Sequence, residues 1–146
     1  MTNKEEITSL VNDAVKLHGH LGPFLVIGAR MGNLAEKTLN LDDKNKRKLQ
    51  TTVHTPPLTP FTCIIDGIQV TTTCTIGNQR LKIRNSRKKI TALFQTQNPQ
   101  RTLRISVKPR VIEELTQKAS EHVAIEELAA RIASMPRDQL FEVEQH

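Results

Sequence analysis

The sequence predicts an α+β fold in which helices cover one face of an antiparallel sheet. Two patterns carry this prediction. Apolar residues recur with a helical period near both ends of the chain, and with a period of two through its middle. Strands that alternate apolar and polar residues have one buried and one wet face, so something must cover the apolar side.

Taken in order, residues 3–17 place Ile7, Leu10, Val11, Ala14 and Leu17 on one stripe, which stops near Gly19. Pro23 suits the first turn of a second helix, because its missing N–H costs nothing there. That helix runs to about residue 39 with Phe24, Ile27, Met31, Leu34 and Ala35 on one face. Gly28 and Gly32 stand one turn apart within it. Glycine costs up to ~1 kcal/mol in a helix, so a close approach by another element is expected at that face.

Residues 42–50 are polar and charged and read as an exposed connection. Residues 51–54 read as a short strand, and Pro56, Pro57 and Pro60 then force an irregular loop. Over 62–72 the run Thr71-Thr72-Thr73 favours strand, whereas Phe61, Ile64, Ile65 and Ile68 fit a helix capped by Thr62. Helix is the expectation there, ended by a turn at Gly77-Asn78. Three strands follow. Leu81 and Ile83 alternate with Lys82 and Arg84; Ile90, Ala92 and Phe94 with Thr91 and Leu93; Leu103, Ile105 and Val107 with Arg104 and Ser106. Pro109 opens a helix through Val111, Ile112 and Leu115. Another covers 123–135, Pro136 ends it, and a short tail follows.

A chain of 146 residues is expected to form one domain over 1–146. With 37% hydrophobic and 25% charged residues it is globular rather than disordered. No apolar run approaches the ~20 residues that span a bilayer. The polar start, Met1 to Glu6, runs into a helical pattern and is no signal peptide, so a cytoplasmic protein is expected. Two cysteines make no disulfide framework. The net charge of +6 is unevenly spread, since no acidic residue lies between Asp66 and Glu113. That stretch suits an anionic ligand, an acidic partner or nucleic acid, or else it is a solvated basic face. Four phenylalanines and no Trp or Tyr leave little for base stacking, which weakens the nucleic-acid alternative.

The densest chemical signal is His18-Gly19-His20-Leu21-Gly22-Pro23. Neutral imidazoles at i and i+2 on a turn between helices suit a transition metal, or else they cap helix ends. The second is Cys63-Ile64-Ile65-Asp66. A cysteine at a helix N-terminus has its thiolate favoured by the helix dipole, with Asp66 one turn on. Equally, Cys63 is a small buried hydrophobe and Asp66 a cap. Cys74 is a second thiolate or a buried structural cysteine. A Cys63 nucleophile with His20 as base would make an enzyme, although no third orienting group is visible.

Further motifs run Gly28-Ala-Arg30-Met31-Gly32, Cys63-Ile-Ile-Asp66-Gly67-Ile68-Gln69, Thr72-Thr-Cys74-Thr75-Ile-Gly77-Asn78 and Val107-Lys108-Pro109. With the His-Gly-His motif, and with Met135 to Phe141 as the domain end, the series resembles the FmdE family of formylmethanofuran dehydrogenase components. The resemblance implies a curved antiparallel or mixed sheet with helices against one face, often in a homodimer. It also implies a metal site, usually zinc or another divalent transition metal, and association with a molybdenum or tungsten oxidoreductase. The expected metal residues are His18, His20, Cys63 and Cys74, with Asp66 as ligand or orienter. The family motif reads His-Gly-His-x-Cys-Pro, and Gly22 stands at the cysteine position, so weak or substoichiometric metal is expected. The cysteine-rich zinc ribbon that many members carry is not part of this sequence. The competing expectation is a non-catalytic module that holds an anionic cofactor or partner through Asn78, Lys82, Arg84, Arg104 and Lys108.

Overall fold

The computed structural model describes residues 3–146. The chain begins with α1 (Asn3–His18) and α2 (Pro23–Leu39). Gly19 ends α1 with a φ of 103°, a left-handed conformation that glycine adopts without strain. The region 42–50 is not wholly irregular. It holds the short helix α3 (Asp43–Lys46), which Asp42 caps by accepting from the Asn45 N–H at 2.7 Å.

Strand β1 (Gln50–Thr55) leads through the proline loop to a 3₁₀ turn (Phe61–Cys63) and α4 (Ile64–Thr72). The helix expected over 62–72 is present, but Thr62 does not cap it. The backbone turns tightly after Pro60, whose carbonyl accepts from Cys63 N at 3.1 Å, so Cys63 leads into the helix. The remaining elements are β2 (Leu81–Asn85), β3 (Thr91–Thr96), β4 (Arg101–Val107), α5 (Pro109–Ser120), α6 (Ile125–Ser134), α7 (Arg137–Leu140) and β5 (Phe141–Gln145). The tail thus forms a short helix and a fifth strand, paired antiparallel to β4 with Phe141 opposite Val107.

The sheet has the order β2-β1-β3-β4-β5 and is mixed rather than purely antiparallel. β1 and β2 are parallel because α4 carries the chain across between them, the connection that parallel neighbours need. The β3–β4 hairpin and the β1–β3 pair are antiparallel.

Helices cover one face. Val53, Ala92, Phe94, Leu103 and Ile105 point into it and are fully buried. They join one core with Leu25, Ile27, Met31, Ile64 and Ile68 from the helix layer. α2 lies at the centre of that layer, against α1, α4 and α6. The close approach expected at Gly28 and Gly32 is made by α4. A Cβ on Gly28 would lie 2.1 Å from the Ile64 carbonyl oxygen, and one on Gly32 would lie 1.7 Å from Thr71 Oγ1. Gly67 gives the reciprocal space on α4, where a Cβ would sit 2.4 Å from Leu25 O. This crossing brings the first turn of α4 to the end of α1. No helix among the described residues is long and apolar enough to cross a membrane.

Candidate functional site

His18 is the last residue of α1, and its side chain is 13% exposed. Its Nδ1 lies 2.6 Å from Oδ2 of Asp66 in the first turn of α4. A carboxylate only accepts, so Nδ1 donates and the Nε2 lone pair is left free in the neutral ring. That Nε2 is buried and has no hydrogen-bond partner among the described residues. The His20 ring lies beside it with centroids 4.6 Å apart, on the exposed side of the turn.

Asp66 is itself held in place. Its Oδ1 accepts from Gln69 Nε2 at 3.2 Å, and Gln69 Oε1 accepts from the Ile76 N–H at 3.2 Å. Gln69 was not among the expected site residues. Its signal was available in the three-residue spacing from Asp66, which puts both on one helix face.

Cys63 is half-buried just before α4. Of the two readings of Cys63, the thiolate is the one that the metal-free surroundings disfavour. Burial pushes the Cys63 thiol above its ordinary value, and the Asp66 charge adds to the shift. Desolvation and a nearby carboxylate outweigh the helix end.

Cys74 is not part of this cluster. It lies past the far end of α4, whose nine residues span about 14 Å at 1.5 Å per residue. It is fully buried, and its thiol donates to Leu49 O at 3.2 Å. Among the described residues no group of three or more His, Cys, Asp or Glu stands ready to hold a metal ion. The part that fits a metal is the His18–Asp66 pair, with a buried unpartnered nitrogen facing away from the carboxylate.

The five residues expected to hold an anion are not brought together. Asn78 builds its own turn: Oδ1 accepts from Thr75 N and Arg80 N, each at 3.0 Å, and Nδ2 donates to Thr73 O at 2.7 Å. Lys108 precedes α5 and donates to the Asp138 carbonyl. Lys82 and Arg84 stand exposed on edge strand β2. Arg104 shares a cross-sheet row with Lys82 through Thr52 and Leu93, three strand spacings or about 14 Å away, and faces Glu144 on β5. Other cations of the acid-free stretch tie helix ends. Arg80 donates to Lys46 O at 2.8 Å and Thr73 O at 2.7 Å, and Arg101 donates to Leu39 O at 3.0 Å.

A family model described as "FmdE, Molybdenum formylmethanofuran dehydrogenase operon" matches residues 17–142, a span that contains the whole His18–Asp66–Gln69 arrangement. The chain belongs to this family. The FmdE fold is also seen in the crystal structure of a tungsten formylmethanofuran dehydrogenase FmdE-like protein from Syntrophus aciditrophicus. That structure is similar at a TM-score of 0.67 and 18% identity, over 96% of this chain and 71% of the other. A probable S-adenosyl-L-methionine-binding protein of Archaeoglobus fulgidus is 31% identical over 78 residues. The match covers 53% of this chain and 21% of that protein, so this FmdE chain aligns with about a fifth of its relative.

Proposed function

We propose that the chain is a metal-binding accessory protein of the FmdE type, related to formylmethanofuran dehydrogenase. The observation that carries this is the His18 ring, bound to Asp66 through Nδ1 and buried without a partner at Nε2. A carboxylate on one ring nitrogen fixes the tautomer and presents the other lone pair, as it does behind histidines that ligate metals. A polar atom buried with no partner costs about 1–3 kcal/mol, which a cation at Nε2 would offset.

His20 and Cys63 are the further donors, and imidazole with thiolate suits zinc or another divalent transition metal. Asp66 acts from behind His18, and Gln69 steadies Asp66. So few protein ligands would leave coordination positions open, and a metal bound there would offer a Lewis-acidic centre to a small molecule or a partner's side chain. A molybdenum or tungsten oxidoreductase is the partner class that fits the family.

The test is zinc titration calorimetry on reduced, chelator-treated protein. The expected result is about one ion per wild-type chain and at least tenfold weaker binding in His18→Ala. Equal affinity in the two proteins would end this reading.

A further inference from the structure

A groove of about 630 Å³ lies between the 56–61 loop, the 86–89 turn and α5. Its volume falls within the ~300–1,000 Å³ typical of small-molecule sites. Pro56, Leu58, Phe61 and Ile112 make its apolar lining, and Arg87 and Lys88 stand at its edge. Leu58 leaves 56% of its surface exposed, an unfavourable state for a large aliphatic side chain unless something covers it.

The walls are preformed. Phe61 packs edge-on against Phe24 with ring centroids 5.3 Å apart. The turn that carries the cations is pinned by Ser86, whose N–H donates to Thr55 O at 3.0 Å and whose Oγ accepts from Lys89 N at 3.1 Å. Neither Arg87 nor Lys88 has an ion-pair partner among the described residues. Glu113, on the helix wall, is the acid that lines this groove with them, and Glu142 and Glu144 share a neighbouring groove with Lys88.

We propose that this groove binds a small anion with an apolar body. Arg87 and Lys88 take the charged head, and Leu58, Phe61 and Ile112 cover the body. None of His18, His20, Cys63 or Asp66 lines the groove, so binding there should be equal with and without zinc. Both cations are exposed and screened by water, so the charged head contributes about a factor of ten in affinity.

The experiment titrates naphthalene-2-sulfonate, and the neutral naphthalene-2-methanol, into isotopically labelled protein and follows backbone amide shifts. The sulfonate should saturate one site, move residues of the 56–61 loop, the 86–89 turn and α5, and bind about tenfold more tightly than the alcohol. Arg87→Ala/Lys88→Ala should erase that preference and leave alcohol binding unchanged. Thr116→Trp should fill the groove and abolish both. Should that variant not fold, Leu58→Asp on the exposed loop gives the same reading by weakening both probes. Shifts scattered over the surface, a preference that survives the double substitution, or undiminished binding in the altered groove would each overturn the proposal.

Discussion

His18 Nδ1 and Asp66 Oδ2 lie 2.6 Å apart across 48 residues of sequence, joining the end of α1 to the start of α4. Asp66→Asn keeps the shape of this contact and removes its charge. Zinc affinity should fall by roughly 10–100-fold, the usual cost of losing a carboxylate behind a ligating histidine. In metal-free protein the same change removes one of the causes that raise the Cys63 thiol. More thiolate then exists at pH 8, so iodoacetamide should label Cys63 faster in the variant, as read by mass spectrometry. Cys74, fully buried, should stay unlabelled in both proteins while they are folded.

The crossing of α2 and α4 depends on side chains that are absent. Gly28→Ala or Gly67→Ala adds a methyl where backbone atoms lie 2.1 Å or 2.4 Å away. Each should cost about 1–3 kcal/mol in urea unfolding, despite alanine's better helix propensity, because overpacking exceeds that gain.

Gly22 differs from those glycines. Its φ is −152°, extended backbone that any residue adopts, and a Cβ there meets nothing within 4 Å. Gly22→Cys should therefore fold with wild-type stability. It would supply the thiolate of the family motif beside His20, and zinc should bind at least tenfold more tightly by competition with a chromophoric chelator.

Burial pushes the Glu36 carboxyl above its ordinary value of 4.5; Lys46, 3.1 Å away, pulls it back, and Glu6 pushes it up again. A raised folded value means that the folded state binds the proton more tightly. The ionised group then costs stability at pH 7, and that cost is relieved as pH falls through the folded value toward 4.5. Relative to Glu36→Gln, the wild type should gain melting temperature between pH 7 and pH 4.5. A difference constant across that range would contradict the assignment.

The basic stretch divides into cations that tie helix ends and cations exposed on the sheet edge. Arg80→Ala loses bonds to the Lys46, Leu49 and Thr73 carbonyls and should destabilise the fold by on the order of 3 kcal/mol. Arg84→Ala, on the exposed edge strand, should stay within about 0.5 kcal/mol. Chemical denaturation of both variants checks the contrast.

The residues of the candidate site are visible in the chain, but their contacts are not. His18, His20, Cys63 and Asp66 stand in motifs that, taken singly, also read as helix caps or core residues, and the fold is what sets His18 against Asp66. Gln69 lies in the same motif but carries no role until its amide is seen between Asp66 and Ile76. The thiolate expected of Cys63 follows from its place before a helix. Its depth of burial and the charge of Asp66 oppose that reading in the metal-free chain, and depth is not written in spacing.

The sequence by itself determined the elements whose evidence is local. The stripe from Ile7 to Ala14, the start of α2 at Pro23 and the alternation through Phe94 and Ile105 follow from backbone geometry acting within a few residues. Even the helix crossing at Gly28 was visible as a cost that needed a partner. Tertiary structure alone decided what meets what. It set β1 between β2 and β3, drew Phe141 to Gln145 in as an edge strand, put His18 on Asp66, and left Cys74 at the far end of α4. Those outcomes turn on contacts between residues tens of positions apart, and such contacts are chosen by how whole faces pack rather than by any local period.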